Sequence, residues 1–140
     1  MGQASRKLGV IVALWHGGME NKNGAKENRR KTGSRYEDIA ARFLSLKGYT
    51  VLERNYRIRT AEIDIIARED DTLAFVEVKY RKDLSYGYPS EAVNRHKRLK
   101  ITEAARYYIA DRHLYNTKLR FDVVEIAGNK IRIIKDAFNV

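Results

Sequence analysis

Glu62-Ile63-Asp64-Ile65-Ile66-Ala67-Arg68-Glu69-Asp70-Asp71-Thr72-Leu73-Ala74-Phe75-Val76-Glu77-Val78-Lys79 is the stretch that decides the fold. Both ends are rich in β-branched and aromatic residues, and Glu69 to Thr72 between them is turn-forming, so the segment reads as a β-hairpin. With Asp70-Asp71 as a two-residue loop, or Glu69 to Thr72 as a four-residue one, Asp64 falls directly opposite Glu77 and Glu62 opposite Lys79. Side chains alternate along a strand and opposed residues point the same way, which predicts one face carrying all four ionisable groups. Ile63, Ile65, Val76 and Val78 on the other face, with Ile66 and Phe75 beside the charges, predict a well-buried hairpin.

The Asp64/Glu77 pair is the physical oddity. Two carboxylates at about 5 Å on a sheet repel, and one of them should be driven toward protonation unless a positive charge sits between them. A divalent cation answers this economically. Mg²⁺ and Mn²⁺ are the candidates, since hard cations take oxygen ligands, commonly one or two carboxylates with substrate phosphate. Lys79, roughly 7 Å beyond Glu77 along the strand, is then placed to act on an attacking water or on charge developing at a phosphate. The alternative is an exposed sheet face on which Glu62 pairs with Lys79, its tether, and the carboxylate repulsion is tolerated.

An acid, a spacer, and Glu-Xaa-Lys after apolar residues resembles the signature of the PD-(D/E)XK nuclease superfamily. Glu62 to Ile66, Phe75 to Lys79 and Arg120-Phe121-Asp122-Val123 resemble more closely the small bacterial YraN-type family, whose members are expected to be endonuclease-like. The resemblance runs from about Gly33 to Ile134. It implies an α/β fold with a restriction-endonuclease-like core, a mixed sheet of about five strands flanked by helices. It implies catalytic roles for Asp64, Glu77 and Lys79, and an Mg²⁺ or Mn²⁺ site made by Asp64, Glu77 and the main-chain carbonyl of Val78. The expected function is a metal-dependent endonuclease acting on DNA, branched or structured DNA included; the alternative is a non-catalytic nucleic-acid-binding protein on the same scaffold. Ala61 and Tyr36 stand where that family usually has glycine, and neither change removes a catalytic side chain.

Composition sets the outer bounds. The 140 residues suit one domain. Cysteine is absent, and His16, His96 and His113 have no zinc-ligand spacing, so only oxygen ligation remains. A net charge of +10 points to a polyanionic partner, and the resemblance implies that this is DNA more than RNA. No long apolar span exists, so no membrane partner and a cytoplasmic location are expected. A compact domain with one site nicks one strand, so double-strand or junction cleavage would call for a homodimer.

Residues 1–32 read as a flexible basic N-terminal extension, and 33–140 as the nuclease-like domain. Leu8 to Trp15 is too short an apolar run, with too poor a cleavage site, for a signal peptide. Met1-Gly2 lacks the serine or threonine that myristoylation needs at position 6, where Arg6 stands. Asn21 to Thr32 is polar and basic, and Met19 offers an alternative start.

Ser34-Arg35-Tyr36-Glu37 has the pattern of a capping box opening a helix that stops at Gly48. Glu37 therefore has two readings, a cap or an acid that helps hold a metal, and it joins the candidate catalytic residues. Tyr49 to Arg57 reads as a strand, its Arg54 and Arg57, like Arg59, either solvated or on phosphate. Arg81 to Pro89 is a loop carrying Tyr86 and Tyr88. Ser90 is expected to cap a second helix, Glu91 to about His113, with Ala92, Val93, Leu99, Ala104, Ala105 and Tyr108 as its apolar stripe. Arg95, His96, Lys97, Arg98 and Lys100 crowd its first half, and of these Arg95, Lys97, Arg98 and Lys100 are the candidate nucleic-acid contacts. Leu119 to Ile126 and Lys130 to Lys135 form a last hairpin around Gly128, with Asp122 expected to be a structural partner of Arg120.

Overall fold

The structure, a computed structural model, describes residues 11–14, 25–81 and 94–139. The central hairpin forms as its sequence dictates. Strands β3 (Ala61–Glu69) and β4 (Thr72–Arg81) pair Glu69 with Thr72 and Ile65 with Val76, leaving Asp70-Asp71 as the two-residue loop. Asp70 takes a positive φ of 51°, a conformation that aspartate tolerates better than most residues. Before the hairpin come β1 (Ile11–Leu14), α1 (Ala25–Leu46) and β2 (Thr50–Ile58); after it come α2 (Arg95–Asp111), β5 (Lys118–Ala127) and β6 (Lys130–Ile134).

The strands make one sheet in the order β1-β6-β5-β4-β3-β2, antiparallel throughout except where β4 meets β5. A parallel partner cannot follow through a tight turn, and α2 lies in the crossover that returns the chain. The helices pack on opposite faces. Ala40, Phe43 and Leu44 of α1 join Ile65, Val76 and Val124, whereas Ile101, Ala104, Ala105 and Tyr108 of α2 join Ile63, Phe75 and Phe121. Covered on both sides, Leu73 to Val76 of β4 are buried without interruption, which is why that segment reads as an apolar run. The protein is thus α/β, a mixed sheet flanked by helices, consistent with a restriction-endonuclease-like core. Six strands stand where about five were expected, because β1 adds to the edge at β6.

Two elements lie upstream of the expected boundary at residue 33. One is β1; the other is the start of α1 at Ala25 rather than Ser34. Alanine, lysine, glutamate and arginine are strong helix formers and carry the helix through the basic stretch without apolar periodicity. Glu37 is therefore in the helix interior, and its reading as a capping residue falls away. Met19 and Asn21 lie outside the described residues, as do Tyr86, Tyr88, Ser90, Glu91, Ala92 and Val93. The described cap of α2 is Asn94, whose side chain accepts from the Lys97 N–H at 2.9 Å. Leu99 is 56% exposed rather than part of the stripe: Ile101, Ala104, Ala105 and Tyr108 follow i, i+3, i+4, i+7 spacing, and position 99 points away from that face.

Simple alternation fails at a bulge between Val51 and Glu53 of β2 and again at a second place, which matters for the site. Arg54 of β2 reaches Glu37 and Asp38 of α1, yet Tyr56, two residues on, packs edge-on against Tyr108 of α2 at 5.2 Å. Asn55 between them has φ 52°, so the strand turns over there. Their partners on β3 do the same: Ile65 belongs to the α1-side core and Ile63 to the α2-side core. Asp64 sits at the inversion.

Toward the turn end of the hairpin, a polar network is fully satisfied. Asp122 is completely buried and accepts from Arg120 Nε at 2.8 Å, Tyr49 Oη at 3.0 Å and the Asp136 N–H at 3.0 Å. Arg120 also bonds Glu69 at 2.9 Å, and Lys135 bonds Glu69 at 2.6 Å. Asp122 is thus the structural partner of Arg120 that the sequence led one to expect. Among the described residues, no helix is long and apolar enough to cross a membrane.

Candidate active site

The paired register of β3 and β4 ends at Ile65 and Val76, and continuing it sets Asp64 opposite Glu77. At that point Asp64 Oδ2 accepts the Val78 N–H at 2.9 Å. A side-chain carboxylate thereby takes the role that a strand carbonyl would play, satisfying a backbone donor where the strands part. Glu77 is 4% exposed, and its Oε1 lies 3.5 Å from Lys79 Nζ and 3.1 Å from Lys97 Nζ. α1 contributes Glu37, whose carboxylate is 3.9 Å from Arg54. Carboxylate oxygens of Glu37, Glu62 and Asp64 all lie within 4.8 Å of one another. The groups line a cleft of about 320 Å³, walled by Gly33, Tyr36, Glu37, Asp64, Glu77, Val78, Lys79, Tyr80 and Lys97.

The electrostatics follow from this crowding. Burial, reinforced by Glu77, pushes Asp64 up to about 8 against the opposing pull of the Val78 N–H. Burial likewise raises Glu37, with Glu62 adding to the effect and Asn55 and Arg54 working against it. Burial alone would lower Lys97, but Glu77 and then Asp64 more than reverse this and hold it above the ordinary lysine range. In the site, Lys79 and Lys97 both reach Glu77 and not Asp64. The site's donors are hard oxygens, with no thiolate or imidazole among the lining residues, so the set fits Mg²⁺ or Mn²⁺.

Asp64, Glu77, Lys79, Val78 and Glu37 are therefore brought together, as is Lys97 from α2. Glu62 does not hold Lys79: it pairs with Arg57 at 3.3 Å and lies with the acids instead, while Lys79 turns to Glu77. The inversion at Asp64 is the reason, since it undoes the single charged face that alternation predicts. The basic cluster on α2 does not act as a block. Lys97 alone enters the cleft; Arg95 is exposed, Arg98 lies 5.5 Å from the Phe138 ring, and Lys100 faces Glu103 at 3.9 Å.

Three features escaped the sequence. Glu62 was expected on the face of Asp64, but as the tether of Lys79 and not as a carboxylate beside Glu37. Tyr36 and Tyr80, stacked with ring centroids 4.0 Å apart, flank the acids, and Tyr80 directly follows Lys79. Glu125, in register with Lys79 on β5, is buried and bonded by Arg132.

The uncharacterised protein family UPF0102 matches residues 36–126, a span that holds every acid and lysine of the cleft. A UPF0102 protein of Clostridium kluyveri is 48% identical over 114 residues, covering 77% of this chain and 93% of the relative. One from Lachnoclostridium phytofermentans is 47% identical over 113 residues, covering 80% and 96%. Another, from Acetivibrio thermocellus, is 45% identical over 130 residues, covering 86% and 100%. With the match running from α1 to β5 and relatives covered nearly end to end, the chain belongs to the UPF0102 family, the family of the YraN-type proteins.

Proposed function

We propose that this chain is a metal-dependent endonuclease of the cytoplasm that hydrolyses phosphodiester bonds in DNA, branched or structured DNA included. The observation that carries the reading is the meeting of Asp64, Glu77, Lys79 and Lys97 in one cleft with Glu37 and Glu62 beside them. Asp64 and Glu77, with the Val78 carbonyl and the nearby Glu37 and Glu62, would hold a divalent cation. Bound there, Mg²⁺ or Mn²⁺ supplies Lewis acidity toward a phosphoryl oxygen. Lys79 orients the attacking water and offsets charge gathering on the phosphate, and Lys97 binds the phosphate from the α2 side. The overall charge of +10 favours a polyanion and gives the binding its salt dependence. One site nicks one strand, and a homodimer would be needed for paired cuts.

The test incubates supercoiled, linear, single-stranded and four-way-junction DNA with Mg²⁺ or Mn²⁺, comparing wild type with Lys79→Ala and Asp64→Ala. Cutting by wild type and none by the variants is expected; no cutting at all, or equal cutting by the variants, ends the enzyme reading. A second reading, a binding module without turnover, draws on Glu77. Its carboxylate already holds two lysines and needs no cation to be neutralised. Salt-sensitive binding to DNA with no cleavage in either metal would favour that reading.

A further inference from the structure

The Tyr36/Tyr80 pair is the feature of the cleft that hydrolysis does not use. The rings come from elements far apart in sequence, α1 and β4, and lie nearly parallel at 14°. Tyr36 is partly buried against the α1-side core, so the inner ring is anchored. Tyr80 is 39% exposed, so a ligand in the cleft can reach it. It directly follows Lys79, whose Nζ is 3.5 Å from Glu77, and both tyrosines line the same cleft as the acids. Tyrosine offers a large flat surface with few torsions to freeze, and here one ring is already braced by another.

We infer that Tyr80, backed by Tyr36, is a stacking platform for an unpaired nucleobase next to the phosphate bound by Lys79 and Lys97. The location rests on the nuclease reading; the stacking itself does not. Within a duplex each base face is covered by its neighbours, so a protein ring gains a face only from a base that is single-stranded, terminal or extruded. Every base presents such a face, so the platform selects for unpaired structure without selecting a sequence. A strand threading the cleft thus places its backbone on Lys79 and Lys97 and a base on Tyr80.

The experiment measures fluorescence anisotropy of a labelled single strand and of the same strand carrying consecutive abasic sites, both in EDTA, so that binding is read without turnover. Stacking is worth about 1–3 kcal/mol per base, which is about 5- to 150-fold tighter binding of the base-bearing strand. Tyr80→Phe should keep that ratio and Tyr80→Leu should collapse it toward one. Equal affinity of wild type for the two strands, or a full ratio in Tyr80→Leu, overturns the inference. Should Tyr80→Leu fail to fold, quenching of a 2-aminopurine placed in the strand decides on wild type alone: quenching supports the platform, unchanged emission sinks it. Cleavage run in parallel with Mg²⁺ separates the two ideas. Cleavage without base preference removes the platform and leaves the nuclease, and base preference without cleavage does the reverse.

Discussion

Asp64→Asn should make the metal-free protein more stable at alkaline pH while removing the acid most exposed to charge crowding. In the folded chain Asp64 is pushed from 3.8 up to about 8 by burial and by Glu77. The folded state therefore binds its proton more tightly than the unfolded one. Stability from that proton is full below about pH 4 and is lost as pH rises through the folded value. At 1.36 kcal/mol per pH unit, the penalty accumulated near pH 8 is bounded at about 5 kcal/mol. Water entering the cleft raises the effective dielectric, so a measurable effect of about 1–3 kcal/mol is expected. Asparagine keeps an oxygen for the Val78 N–H and carries no charge. Urea unfolding in EDTA near pH 5 and near pH 8 checks this, with the advantage of Asp64→Asn growing toward the higher pH. A wild type whose stability is flat or rising across that window, relative to the variant, refutes the reasoning.

Mg²⁺ should raise the wild-type melting temperature and leave Asp64→Asn unmoved, with about 2.7 kcal/mol of stabilisation at a hundred times Kd; equal shifts in both would place the cation elsewhere. Lys97→Ala should lower single-turnover cleavage on the order of 100-fold, and an unchanged rate would make its contact with Glu77 purely structural. Asp122→Ala should cost about 1–3 kcal/mol in urea unfolding for each buried donor it deprives of its acceptor, the Tyr49 hydroxyl and the Asp136 N–H, while Arg120 keeps Glu69; a loss near zero would contradict the network described. Asp70→Gly should stay within about 0.5 kcal/mol of wild type, whereas Asp70→Val should lose about 1–2 kcal/mol because a β-branched residue resists a positive φ.

The hairpin was legible because two kinds of evidence agreed, a turn of charged residues and strands with little else to hide. That agreement fixed the register that pairs Ile65 with Val76, one step short of Asp64 and Glu77. The acids stood out for the same reason, since ionisable groups on apolar strands need an explanation. What the sequence concealed was the inversion at Asn55 and Asp64: alternation is a local rule, and an asparagine with positive φ announces nothing in one dimension. From that miss came the wrong partner for Lys79, with Glu62 read as its tether and not as a neighbour of Glu37. The helix ends were hard for a different reason. Ser90 and Asn94 offer the same capping chemistry, and Ala25 begins α1 amid strong helix formers whose sequence has no apolar periodicity. The tyrosine stack joins positions 36 and 80, a pairing that only the tertiary fold creates.

The network around Asp122 has a consequence for how the molecule opens. It ties the start of β2 through Tyr49, the hairpin turn through Glu69, β5 through Arg120 and Asp122, and the C-terminal segment through Lys135 and Asp136. None of these segments can detach without breaking bonds to the others, so that end of the sheet should exchange its amide hydrogens only in global unfolding. At the Val78 end the β3 side of β4 has no such lock, since there one carboxylate replaces the ladder, while β4 stays paired with β5 as far as Arg81. Past Val76 the β4 amides that face β3 should therefore lose protection before those bonded to β5, leaving the cleft side free to adjust to an irregular strand while the rest of the sheet stays closed.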